Sequence, residues 1–173
     1  RSFIQPAYQN THKNPKSIFA LDNLWDGLGA LIVKHPKAKY FFGKVTMYGN
    51  YDRRAKNILL YFLRHYCPDE ENLIAAKKPA SFDADTAGLS EIFTGSDFGE
   101  NYKILCQTIR ALGENVPPLI NSYLGLSPTM KVFDTALNPD FGDVEETGIL
   151  VTIKDIYPSK TERHTKWNEV ELA

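Results

Sequence analysis

The sequence predicts an α/β fold, and three observations carry that expectation. Leu21, Leu24, Trp25, Leu28, Leu31 and Ile32 recur three and four residues apart, the spacing of one helix face. The stretch Lys39 to Tyr48 directly after it is aromatic and β-branched, as a strand requires. Towards the end, two strand-like segments flank Asn138-Pro139-Asp140-Phe141-Gly142-Asp143, a turn-rich connection that suits a hairpin. Strands that alternate with helices and finish on a hairpin give an α/β pattern, read here as a single domain over residues 1–173.

In order along the chain, residues 1–5 read as a strand, which Pro6 ends because proline lacks a ladder donor. The polar stretch from Tyr8 to Ser17 reads as a loop. An amphipathic helix follows over about 19–35 and stops at Pro36. After the strand from Lys39 to Tyr48, Asn50 or Asp52 can cap a helix from Arg53 to Tyr66. Its buried face is expected to be Ala55, Ile58, Leu59, Phe62, Leu63 and Tyr66. Residues 68–99 keep no period and read as an excursion with one short helix near Leu89 to Phe93. A helix over about 100–112 carries Tyr102, Leu105, Cys106, Ile109 and Leu112 on one side and ends at Gly113. Pro117-Pro118 opens a short helix to Leu124, since proline suits a first turn. Lys131 to Leu137 and Ile149 to Ile156 are the final strands, and the tail after Pro158 is polar, helical or loose.

Composition bounds the function. Twenty basic against 21 acidic residues leave a net charge of -1, so there is no global attraction to nucleic acid. A local patch can still meet a membrane surface. With only Cys67 and Cys106, both at apolar positions of helix-like patterns, a disulfide scaffold is not expected and a reducing cytoplasm is. No apolar run approaches the length of a bilayer span, and no signal-peptide pattern is read. The first residue is Arg1, inside what reads as a strand, so the sequence is expected to be a piece of a longer protein.

Three stretches can carry chemistry. In Trp25-Asp26-Gly27-Leu28-Gly29-Ala30, two glycines fall in the early turns of a strong helix, each costing about 1 kcal/mol against alanine. Close approach of backbone N–H groups to a phosphate explains them, and so does tight packing of the helix. Tyr48, Asn50 and Tyr51 follow a strand, at the strand's carboxyl end where α/β sites gather. A tyrosine there can give a proton to a thiolate leaving group, or the aromatics can simply pack. Asp140, Asp143, Glu145 and Glu146 supply carboxylates that can bind an ammonium group or act as a base. An exposed acidic turn is the other reading. Glu145 and Glu146 are the better candidates, since an extended chain points them to opposite faces.

Other chemistries find no support in the residues. His12, His35, His65 and His164 have no Cys or His partner at metal-ligand spacing, and no metal site is expected. There is neither a Gly-x-Ser-x-Gly elbow nor a phosphate loop ending in Gly-Lys-Ser/Thr. A histidine followed five positions later by aspartate, the pattern of glycerolipid O-acyltransferases, is also absent.

Several segments together resemble one family. They are Arg1-Ser2-Phe3-Ile4-Gln5-Pro6-Ala7-Tyr8, Leu24-Trp25-Asp26-Gly27-Leu28-Gly29, His35-Pro36-Lys37-Ala38-Lys39-Tyr40-Phe41-Phe42-Gly43-Lys44-Val45, Val116-Pro117-Pro118-Leu119-Ile120-Asn121-Ser122-Tyr123-Leu124 and Asn138-Pro139-Asp140-Phe141-Gly142-Asp143-Val144. In this order they are similar to the bacterial GNAT-superfamily N-acyltransferases that make ornithine or glycine lipids, a family that also carries the name hemolysin. The chain looks like its C-terminal portion. No cationic amphipathic helix supports membrane lysis.

The resemblance implies a GNAT-like mixed sheet flanked by helices, and direct attack by an amino-acid amine on an acyl thioester. No cofactor is held permanently; the donor is acyl carrier protein or coenzyme A, and the product is a membrane aminolipid. It places the donor's pantetheine beside Phe3 and Ile4 and its phosphate near Trp25, Gly27, Leu28 and Gly29. It matches Arg1 to an arginine that follows a glutamate by three positions, and Arg1 joins Tyr48, Tyr51 and Glu145, read from the residues themselves, as the expected catalytic groups. The expected location is the cytoplasm, with peripheral contact at the inner face of the membrane. Two alternatives stay open: a catalytically silent GNAT-like docking module, and a small-acyl acetyltransferase using acetyl-coenzyme A.

Overall fold

In a computed structural model, residues 20–81 and 86–165 are described. The expected strand over 1–5 and the site residues Arg1, Phe3 and Ile4 lie outside them. The elements run α1 (Ala20–Lys34), β1 (Tyr40–Met47), α2 (Arg53–Tyr66), α3 (Thr86–Ser90), α4 (Phe98–Ala111), α5 (Pro118–Leu124), β2 (Lys131–Asn138), β3 (Val144–Thr152) and α6 (Pro158–Thr165). Contacts divide the chain into two compact units, one of residues 40–155 and one of residues 1–39 with 156–173.

The larger unit is built on a three-stranded sheet in the order β1-β3-β2. Every strand pairing among the described residues is antiparallel, where a mixed sheet was the expectation. A short turn joins β2 to β3, and a connection that short permits only an antiparallel pair. β3 begins at Val144, ahead of the expected Ile149, and gives way after Thr152 to a 3-10 turn at Ile153–Asp155. The hairpin closes tightly because Pro139–Phe141 forms a 3-10 turn and both Gly142 and Asp143 take positive φ, 77° and 54°. Polar residues at its start hide this strand from a hydrophobic pattern.

One face of the sheet carries Val45, Met47, Thr147, Ile149 and Val151, all buried. α2 covers the core with Ala55, Ile58, Leu59, Phe62 and Leu63, as the spacing predicts. Leu60 is buried too, and Tyr66 only half so. Asp52 caps α2 by accepting from the Ala55 N–H at 2.8 Å. α4 starts on a capping pair: Asp97 accepts from the Glu100 N–H and Glu100 from the Ser96 N–H, each at 2.8 Å. It ends where Gly113 turns left-handed, with Gly113 donating to Arg110 and Glu114 to Ile109, the paired bonds of a glycine C-cap. Between them, the buried Asn101 side chain clamps the preceding turn through Gly95 and Asp97. The short helix of the 68–99 excursion lies at Thr86–Ser90, earlier than Leu89 to Phe93; one turn contains too few apolar positions to fix its place.

A polar pair crosses this core. Thr135 and Thr147 face each other on β2 and β3 and their hydroxyls are 2.8 Å apart, both buried. Thr147→Val is expected to cost about 1–3 kcal/mol, because the Thr135 hydroxyl is left without its partner. Adding Thr135→Val is expected to restore part of that loss, a non-additivity that urea unfolding of the two single variants and the double variant reads directly.

In the smaller unit α1 packs on α6. Gly29 lies against the α6 backbone, where a Cβ would come within 1.9 Å of the His164 carbonyl oxygen. The His164 ring, buried, sits 2.7 Å from the Asp26 carboxylate through Nδ1, and Arg163 pairs with Asp22. Asp22, Asp26 and Gly29 are spaced four and three residues apart, which sets them on one helix face.

Candidate functional site

The carboxyl end of β1 meets the start of β3, with Met47 opposite Glu145 and Thr46 opposite Glu146. A strand alternates its side chains, so the two glutamates point to opposite faces. Glu145 shares the face of Met47 and Thr147 and reaches Lys56, from the first turns of α2, at 2.6 Å. Both side chains are largely covered, Lys56 13% and Glu145 18% exposed. Only one oxygen of Glu145 is used among the described residues: Oε2 is buried and has no hydrogen-bond partner there. Glu146, by contrast, has both oxygens engaged, Oε1 by Lys44 at 2.5 Å and Oε2 by the Asn138 amide at 3.0 Å. An unmet buried carboxylate oxygen is costly, and an ordered water molecule is the simplest donor to meet it.

The turn after β1 carries the tyrosines. Tyr48 is exposed, and the Tyr51 N–H closes the turn on the Tyr48 carbonyl at 3.0 Å. Tyr51 donates its hydroxyl to the Asn115 carbonyl at 2.9 Å. Burial, reinforced by the negative charges of Glu114 and Asp52, pushes its phenol up to about 12. Tyr51 therefore ties the loop before α5 to this turn, and its proton is held by a carbonyl. Tyr48 is the tyrosine of the pair left facing solvent.

The other expected site residues fall elsewhere. Asp140 and Asp143 are exposed in the hairpin turn. Trp25, Gly27, Leu28 and Gly29 belong to the smaller unit, and the two glycines stand in the interior of α1 rather than in its early turns. Their N–H groups are spent on the helix's own carbonyls, as interior helix positions require. Gly29 serves close helix–helix approach, whereas Gly27 is exposed, with nothing within 4 Å of the point a side-chain methyl would occupy. Sequence reasoning missed Lys56 as the partner of Glu145 and His164 as the partner of Asp26. Both pairs join residues far apart in the chain, which no spacing rule reaches.

Among the described residues, no group of three His, Cys, Asp or Glu side chains is placed to hold a metal ion. No described helix is long and apolar enough to cross a membrane.

Compared with known proteins, the chain matches no family model and no solved structure. It does match the glycine N(alpha)-acyltransferases of Phocaeicola vulgatus and Bacteroides thetaiotaomicron, with 51% identity over 164 residues in both cases. Those residues are 95% of this chain and 50% and 49% of the two relatives, so the chain spans about half the length of the curated relatives it matches. Identity at this level over nearly the whole chain makes it a homologue of the glycine N(alpha)-acyltransferases across that half.

Proposed function

We propose that the protein carrying this chain is an N-acyltransferase that moves a fatty acyl group from a carrier thioester to the amino group of glycine, in the synthesis of a membrane aminolipid. What carries the reading is the 51% identity to two proteins named glycine N(alpha)-acyltransferase, over 95% of the chain. The GNAT-like resemblance agrees with it, and in this reading residues 1–173 belong to one GNAT-like domain. Acyl carrier protein is the proposed donor, with coenzyme A as the other thioester of the same chemistry. The proposed setting is the cytoplasmic face of the membrane, met peripherally.

The reaction balances simply. The acceptor ammonium loses a proton, its nitrogen attacks the thioester carbonyl, a C–N bond forms, the C–S bond breaks, and the departing thiolate takes up a proton. Glu145 is the residue we assign to the acceptor's N–H, and the exposed Tyr48 hydroxyl the group we assign to the thiolate. Tyr51 holds the turn that presents Tyr48. The family resemblance assigns the donor to Phe3 and Ile4, with Arg1 beside the chemistry, and to Trp25, Gly27 and Leu28. Gly29 is left out of that set, because its open side is filled by α6.

The test is direct. The protein at its natural length is incubated with acyl carrier protein thioester or coenzyme A thioester and each common amino acid, and products are read by mass spectrometry. Acylglycine formed from the carrier-protein donor is the expected result. No acyl-amino acid from any acceptor with either donor would overturn the reading.

A further inference from the structure

We infer that the tip of α1 and the turn behind it, Leu31 to Lys39, form the surface by which the protein docks on a lipid bilayer with anionic headgroups. The inference rests on the peripheral membrane setting proposed above and adds the surface that makes the contact and the lipid class it selects. The whole stretch lies in the smaller unit. Leu31 and Val33 are 47% and 45% exposed, although the helical spacing places Leu31 in the stripe expected to be buried. The two project about 200° apart around the helix, so the end of α1 is open on both sides rather than along one face. Lys34, His35, Lys37 and Lys39 follow, all exposed. Backbone bonds hold the turn in shape: the His35 N–H donates to the Leu31 carbonyl and the Ala38 N–H to the His35 carbonyl, both at 2.9 Å.

Charge identifies the partner. The chain has 21 acidic residues, yet none falls between Asp26 and Asp52. Among the described residues, Lys34, Lys37 and Lys39 have no ion-pair partner. Branched aliphatic side chains beside unpaired lysines suit a lipid surface. The aliphatics enter the headgroup layer, while the lysine stems lie along it and their ammonium groups meet phosphates. A protein partner is a poorer match, because interfaces favour Arg, Tyr and Trp as anchors and disfavour Lys. Leu31 to Lys39 contains none of those three anchors. Docking there holds an enzyme that makes an amphiphile at the surface into which its product partitions.

The experiment is co-sedimentation of the protein at its natural length with vesicles of phosphatidylcholine, and of phosphatidylcholine mixed with phosphatidylglycerol. Binding is expected to the mixed vesicles and to weaken as salt is raised. Replacing Lys34, Lys37 and Lys39 together by glutamine is expected to weaken it on the order of 100-fold, about fivefold per lysine. Leu31→Ser with Val33→Ser is expected to weaken it about 10-fold, through lost apolar burial. The control replaces Lys77, Lys78 and Lys103, exposed lysines of the larger unit, by glutamine and is expected to stay within about threefold, since charge without contact is screened. Equal losses in the control and the tip variants would overturn the inference, as would no binding of the unaltered protein to mixed vesicles. Vesicle binding that survives in the tip variants, together with lost turnover of a carrier-protein thioester in vesicle-free solution, would make the tip a protein-docking surface instead. Acylglycine formation in vesicle-free solution is scored separately. Its absence in the unaltered protein defeats the acyl-transfer reading and leaves the vesicle result to decide the docking surface.

Discussion

Replacing Gly29 with alanine is expected to destabilise the packing of α1 on α6 by about 2–3 kcal/mol, the cost of forcing a methyl group into a filled contact. Gly27→Ala is expected to be neutral or to stabilise by up to about 1 kcal/mol, the helix propensity gained. The same substitution, two residues apart, thus has opposite signs. At Gly29 the new carbon would stand 1.9 Å from the His164 carbonyl oxygen and 2.7 Å from its carbonyl carbon. Both are backbone atoms, so no rotamer change relieves the clash, and α6 must move as a piece. Its movement would also strain the Asp26–His164 and Asp22–Arg163 pairs. At Gly27 nothing lies within 4 Å. Thermal unfolding, with hydrogen exchange of the α1 amides to localise the loss, measures both variants. Equal effects from the two would show that Gly29 is not a contact point and that the glycine pair has one common role.

That contrast also shows where sequence stops being readable. Glycine at two near positions carries one signal, reduced side-chain bulk, while the reason for it depends on what faces each residue. Periodic segments are a different case. α2 is legible from end to end because Asp52, a capping side chain, stands directly before a run whose apolar residues follow the helical repeat. Likewise Gly113 marks the end of α4 through a conformation that glycine adopts without strain. β3 is legible only in its second half. Its first residues include Glu145, Glu146 and Thr147, and each is made compatible with a covered strand by a partner from another element.

The site divides in the same way. Glu145 stands out in the sequence as one of two adjacent acids, and alternation sends the two to opposite faces. Which face holds the unmet oxygen depends on Lys56, Lys44 and Asn138, and those partners come from α2, β1 and β2. Lys56 follows a buried alanine and precedes a half-buried asparagine, so its surroundings in sequence look like the border of an ordinary helix face. The charge pairing appears only when β3 and α2 are folded together.

Glu145→Gln is expected to reduce kcat/KM for glycine about 100-fold or more, the range for loss of a group that moves or holds a proton in the reaction. Glutamine keeps the size of the side chain and a carbonyl for Lys56, so the change falls on charge and basicity. Glu146→Gln, one residue along, is expected to leave kcat/KM within a few-fold, since both oxygens of Glu146 are already engaged, by Lys44 and by Asn138. Unfolding midpoints must accompany the kinetics. Glu145→Gln leaves the ammonium of Lys56, 13% exposed, beside a neutral amide, and that imbalance has its own cost in stability. A variant that stays folded at the assay temperature and still loses glycine acylation places the loss in the reaction. Equal activity losses at Glu145 and Glu146 would point to the strand rather than to the unmet oxygen. Full activity in folded Glu145→Gln would remove the carboxylate from the reaction altogether, and the acceptor's proton would then have to leave by a group outside β3.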